Sequence, residues 1–424
     1  MLVIFFLLIG FTNAYFIGSS TSAYQIEGHQ PGICIWDKFT KTHNLKQVGN
    51  ATNHYLLYKN DVKLMYDLNF RNYRFSMSWT RIMPYKWNEI NDEGIQFYHN
   101  LLDELKVNNI TPFVTMYHWE LPNYIQEEIG GWSSPNIIEY FFNYSKILFN
   151  EYNNKVNYWI TINEPLTTSK QGYGEGTFAP GIKSENEMYL SGHYQLLSHA
   201  YVANYYKRNY NGKIGIAINS NWYEPKDNNS KIEANKELMR NLGWFAEPLF
   251  FGEYPDVIKN KTPKFTDYQK ILLINSLDFF GLNHYTTYYV DSIGEMSEDP
   301  LWLHGQSNWL YAVPLGMNRI LNFIKNRYGS IPIYITECGF SMRNDNYYDT
   351  DRIHYLAGYL FETIKAINTG INVKGFFIWS FLDNFEWASG YNETFGIVEV
   401  NMTTCERKPK KSALIMSNLI DTFV

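Results

Sequence analysis

The chain is poor in cysteine, with only Cys34, Cys338 and Cys405 in 424 residues. Three widely spaced thiols cannot build a disulfide scaffold or a CxxC metal site, and at most one disulfide can form. An excess of positive charge is also lacking: 36 Lys and Arg against 42 Asp and Glu give a net charge of −6. The basic residues are scattered, so no stripe neutralises a phosphate backbone and no polybasic patch meets an anionic membrane, which argues against nucleic acid as a partner. No apolar run approaches the ~18 residues of a membrane span. There is no Gly/Ser linker, no repeat at solenoid spacing, and no HxH or HExxH motif.

What is abundant is aromatic. Phe, Trp and Tyr make up 18% of the chain, with 12 Trp, 35 Tyr and 28 Phe. Rings with a wet hydroxyl or N–H edge suit ligands that are polar with apolar faces, sugars among them. A Tyr/Asn-rich compositional drift is the other source of such counts. At 424 residues the chain exceeds the ~250–300 at which single cores usually stop growing, which leaves several domains or one large barrel.

Residues 2–11 form an uninterrupted apolar run, and Thr12 and Ala14 follow as the small residues of an A-x-A-like cleavage site. This pattern predicts a secretory signal peptide over residues 1–14, cut after Ala14, with a buried first strand as the competing reading. Sequons at Asn50, Asn109, Asn143, Asn228, Asn260, Asn392 and Asn401 accord with a secreted or lumenal protein.

Eight short apolar runs recur at wide spacing: 16–24, 72–79, 112–118, 156–162, 214–219, 278–285, 333–337 and 375–380. Helical periodicity lies between them, notably over 95–108 and 351–368. Strand and helix in alternation, eight times, predict a single parallel (β/α)8 barrel over residues 15–424. Such barrels build their sites at the C-terminal ends of the strands. Gln25, Arg74, His118, Asn163 with Glu164, Asn283 with Tyr285, Glu337 and Trp379 stand there.

Glu164 and Glu337 each end an apolar run, and as strands four and seven they face one another across the mouth. Two such carboxyls can flank a glycosidic bond, ~5–5.5 Å apart in a retaining enzyme, one attacking the anomeric carbon while the other protonates the departing oxygen. Anionic Glu337 would keep Glu164 protonated, and esterified Glu337 would release it to act as base. Arg74 and the Tyr285 phenol are placed to hold Glu337 ionised. Gln25, His118 and Asn163 could read sugar hydroxyls, and Trp119, Trp379 and Trp387 offer ring faces to a pyranose. His118, Glu120 and His284 raise a metal-dependent hydrolase as a weaker alternative, since no ligand spacing supports it.

Several long motifs carry a resemblance: Tyr73-Arg-Phe-Ser-Met-Ser-Trp79, Tyr117-His-Trp-Glu-Leu-Pro122, Trp159-Ile-Thr-Ile-Asn-Glu-Pro165, Tyr334-Ile-Thr-Glu-Cys-Gly339 and the run Trp379 to Tyr391. From about Tyr15 to Ser412 the chain resembles glycoside hydrolase family 1, the β-glucosidase family of retaining barrels. The resemblance implies Glu164 as acid/base and Glu337 as nucleophile. It implies a glycone site of Gln25, His118, Asn163, Tyr285, Trp379, Glu386 and Trp387, with Phe395 at its edge and Trp309 as the aglycone platform. No cofactor or metal is implied, and the expected partner is a small β-glycoside. Glu386 would repel a 6-phosphate. Cys338 and Glu120 depart from the usual Asn and Asp of the family, and the stretches 28–36, 253–266, 286–308 and 396–408 are shorter than its norm. β-Galactosides and β-fucosides remain alternative substrates, and a sugar-binding barrel without activity and a transglycosidase remain alternative functions.

Overall fold

The computed structural model describes residues 15–342 and 347–423. The expected signal peptide, residues 1–14, lies outside the described residues. Eight strands close into a parallel barrel: β1 (Phe16–Ser20), β2 (Asn72–Ser76), β3 (Thr111–Tyr117), β4 (Tyr158–Asn163), β5 (Lys213–Asn219), β6 (Phe279–Asn283), β7 (Ile333–Cys338) and β8 (Val373–Trp379). The last strand returns to the first in unbroken register, from Phe16 opposite Gly375 to Ser20 opposite Trp379. All eight coincide with apolar runs of the sequence. The first is shorter than its run because the chain turns after Ser20 and Ala23–Ile26 forms a helical turn.

Helices cover the outside of the barrel. Helix α1 (Asp92–Val107) buries Phe97, Tyr98, Leu101, Leu102 and Leu105, a 3.6-residue stripe. Helix α2 (Thr350–Asn368) buries Tyr355, Leu356, Tyr359, Leu360 and Thr363 in the same way.

Part of the aromatic surplus fills the barrel. Phe113, Phe279, Tyr334 and Phe377 form an interior cluster with Ile160 and Ala217, closed by Phe16 and Tyr158. Glycines on neighbouring strands make room for these rings. A Cβ at Gly375 would lie 2.5 Å from the Phe16 ring, and one at Gly18 would lie 2.7 Å from the Phe377 ring. Glycine is therefore required by close ring approach, and the filled floor confines any ligand to the C-terminal mouth.

The ladders are regular except at three pairings. Register shifts occur where β4 meets β5, between Ile160 and Asn163, and where β7 meets β6 and β8, before Glu337 and Cys338. These are the strands that end in the two glutamates. An extra residue in one strand re-aims the side chains beyond it, and strict alternation of inward and outward residues could not have shown this.

The three cysteines are free thiols, with Cys34 and Cys338 buried. The C-terminal segment is clamped by buried charge. Lys410 donates to Asp383 Oδ1 and to the Gly396 carbonyl, each at 2.8 Å, and so pins both ends of the loop after β8. Lys410→Met removes the cation from beside a buried carboxylate, and a loss of about 3–5 kcal/mol is expected in denaturant unfolding. A loss under ~1 kcal/mol would mean that the pair is not effectively desolvated.

Candidate active site

At the C-terminal mouth lies a cavity of about 300 Å³, at the small end of the ~300–1,000 Å³ of small-molecule sites. Its wall includes Glu164 and Glu337 together with His118, Trp119, Asn283, Tyr285, Trp309, Trp379, Glu386, Trp387 and Phe395. Eleven of the fourteen residues singled out from the sequence therefore meet in one place.

The other three lie outside the lining. Arg74 and Asn163 are fully buried. Arg74 stands within β2 rather than at its end, and its guanidinium donates to four groups on three strands. These are Thr115 Oγ1 at 3.2 Å, the Thr336 carbonyl at 3.0 Å, Glu337 Oε1 at 2.5 Å and Asn163 Oδ1 at 2.6 Å. Asn163 Oδ1 also accepts from Asn283 at 3.1 Å, and its amide nitrogen lies 3.1 Å from His118 Nε2. Gln25 departs most from expectation. Its Oε1 accepts from Ser22 at 2.6 Å, and its amide donates to Asn384 Oδ1 at 2.9 Å and to the Phe385 carbonyl at 2.8 Å. In this structure it braces the chain just before Glu386 and is not among the residues that line the cavity.

The two glutamates are treated oppositely. Glu337 has two charge-stabilising partners, Arg74 on Oε1 and the Tyr285 phenol on Oε2 at 2.7 Å. Among the described residues Glu164 is bonded only by neutral donors, Asn283 to Oε1 and Thr167 to Oε2, each at 2.8 Å. Burial, then the Glu337 charge, pushes the Glu164 carboxyl up to about 7. Burial also pushes Glu386 well above the ordinary range, helped by Glu393 and Glu337. His118 is driven well below its usual value by burial and by Arg74, so it is a neutral imidazole.

Three wall residues lie in the left-handed region: Trp119 at φ 78°, Glu164 at φ 47° and Trp387 at φ 50°. Each costs about 1–3 kcal/mol and persists only where its surroundings fix it. Trp387 is fixed by rings, stacked on Tyr24 at 5.7 Å and meeting Trp36 at 4.8 Å and Trp119 at 4.7 Å. Trp119 is fixed by its indole N–H on the Asn163 carbonyl at 3.1 Å. Trp309 is 41% exposed and stands edge-on to Tyr285 at 5.6 Å. It forms the open side.

Sequence reading missed Leu166, Thr167, Gln171, Phe178, Asn241 and the stretch Asn219 to Asn221, as well as Ser389 and Glu393. Only Thr167 carried a signal: Pro165 starts a helical turn, and a hydroxyl three residues after Glu164 folds back onto it. Glu120 and His284, weighed as metal ligands, are buried outside the cavity lining.

A closed parallel barrel with an unequally tuned carboxylate pair at its mouth, walled by tryptophans, defines a glycoside-cleaving class of enzyme. The chain belongs to glycosyl hydrolase family 1, whose model matches residues 9–423. It is a hydrolase of the β-glucosidase family. It is 38% identical to Beta-glucosidase 4 of Oryza sativa subsp. japonica, over 97% of this chain and 95% of that one. The match extends over 457 aligned positions, more than the 424 residues of the chain, so the rice protein carries segments that this chain lacks. A rice β-glucosidase solved in a covalent complex with Glc superposes with a TM-score of 0.92 at 34% identity, covering 96% of this chain and 98% of that one. An aphid myrosinase superposes equally, with a TM-score of 0.92 at 34% identity, covering 97% and 99%.

Proposed function

We propose that the protein is a retaining β-glycosidase that hydrolyses terminal β-D-glucosidic bonds, with β-galactosides and β-fucosides as further substrates. One observation carries this reading. Two buried carboxyls at the ends of β4 and β7 share a cavity, one bonded by Arg74 and Tyr285 and the other raised to about 7 with no cation bonded to it among the described residues. Nucleophile and acid need these opposite states at one pH.

In the first step a Glu337 oxygen attacks the anomeric carbon, the bond to the aglycone oxygen breaks, and Glu164 gives that oxygen its proton. In the second, water attacks the same carbon, Glu164 takes the proton, and Glu337 leaves as a carboxylate. Once Glu337 is a neutral ester its charge no longer raises Glu164, which fits the change from acid to base. The covalent Glc of the solved rice relative accords with such an intermediate. Among the described residues the cavity wall carries the Glu337 carboxylate and no Lys or Arg, so neutral sugars are favoured over 6-phosphorylated or uronic ones.

Hydrolysis of an aryl β-glucoside tests the assignment. Glu337→Gln is expected to show no turnover above background. Glu164→Ala is expected to lose ~10²–10⁴-fold, to keep some turnover of substrates with a good leaving group, and to be stimulated by azide. In the wild type, kcat/KM should fall as pH rises through about 7, where Glu164 loses the proton it must donate. A folded wild type inert toward all aryl β-glycosides would instead mark a sugar-binding barrel. Alcohol-adduct products exceeding free sugar would mark a transglycosidase.

We further propose that the chain enters a secretory pathway and is cut after Ala14. Six of the seven sequon asparagines are exposed, Asn143 being half-buried. Expression in a eukaryotic secretory host should yield a glycosylated protein in the medium that begins at Tyr15. Retention in the cytosol with Met1 intact would contradict this.

A further inference from the structure

Helix α2 touches neither glutamate, yet its buried face converges on the residues that surround Glu337. Tyr355 and Tyr359 stand one turn apart, 1% and 0% exposed, with rings stacked at 4.0 Å and 21°. Both phenols donate to the same acceptor, the backbone carbonyl of Tyr285, each at 2.7 Å. That carbonyl has two lone pairs, and the two phenols take both.

Each phenol oxygen in turn accepts a hydrogen bond. Tyr359 takes one from the Val313 N–H at 3.2 Å, and Tyr355 takes one from the Cys338 thiol at 3.6 Å. Cys338 follows Glu337 in the chain. Tyr355 therefore grips both the strand end that carries Glu337 and the loop that carries its hydrogen-bond donor, Tyr285. Burial pushes both phenols well above their ordinary range, so both stay protonated and able to donate.

We propose that Tyr355 and Tyr359 are positioning residues that set the Tyr285 phenol against Glu337 and thereby the rate at which Glu337 attacks. This rests on the reading of Glu337 as nucleophile. A displacement of about 1 Å in such a constellation costs on the order of 100-fold in rate. A fully bonded carbonyl at the root of Tyr285 leaves its phenol little freedom to move.

The test uses the full-length protein and a 2-deoxy-2-fluoro-β-glucoside with a dinitrophenyl leaving group, which traps the glycosyl-enzyme. Its concentration dependence separates the limiting rate of labelling from the half-saturating concentration. Tyr355→Phe and Tyr359→Phe are expected to lower the limiting rate tenfold or more, with less than a threefold change in half-saturation. Tyr285→Phe should lose at least as much, and adding Tyr355→Phe to it should cost nothing further, because both act through one contact. Labelling of both helix variants at the wild-type rate, or fully additive losses in the double variant, would overturn the proposal. If Tyr355→Phe does not fold, Tyr359→Phe gives the same reading through the same carbonyl. Tyr285→Phe labelled at the wild-type rate would likewise overturn the proposal, whereas an unlabelled wild type would strike at the nucleophile assignment instead.

Discussion

The guanidinium of Arg74 is the contact on which the mouth of this barrel depends. It is fully buried, and it reaches Thr115 on β3, Asn163 on β4, and Thr336 and Glu337 on β7. A buried cation is tolerable only when its donors are satisfied and its charge is matched. Here the matching anion is Glu337, so the requirement to neutralise Arg74 is also what keeps a carboxylate in the cavity. Glu164 has no such partner among the described residues. The same desolvated surroundings therefore push it toward the protonated state. The difference between the two carboxyls thus follows from where one positive charge was placed.

Geometry supports that electrostatic division. The register shifts fall on β4 and β7, the strands that present the glutamates, and the left-handed backbone falls on Trp119, Glu164 and Trp387. Both features cost stability locally. A ring-filled barrel floor supports them from below, and around them Trp387 packs against Tyr24, Trp36 and Trp119. The loop carrying Glu386 and Trp387 is held by Gln25 before Glu386 and by the Lys410–Asp383 pair across its ends.

The eight strands were legible because each is a short apolar run bounded by turn residues, and so was the glutamate pair, because strand ends are where parallel barrels put polar groups. Gln25 shows the limit of that rule. It stands after the first strand as a sugar ligand would, but its amide is spent on Asn384 and Phe385, some 360 residues away in sequence. Arg74 was read correctly as a partner of Glu337, yet its depth below the cavity depends on inward alternation within β2. Phe178 and Asn241 carried no signal, since a loop and a helical turn far from the glutamates in sequence bring them to the wall through tertiary contacts alone. The aromatic surplus now has a physical account at two levels, the barrel floor around Phe113 and the cavity wall around Trp387.

The central claim is that Glu164 is held protonated near neutrality by burial and by the anion that Arg74 maintains at Glu337. Titration of the Glu164 carboxyl carbon by ¹³C NMR measures this directly. A midpoint near 7 is predicted in the wild type, as is a lower midpoint in Glu337→Gln, where the anion is gone. A wild-type midpoint in the ordinary carboxyl range of about 4–5, unmoved by that substitution, would contradict the account.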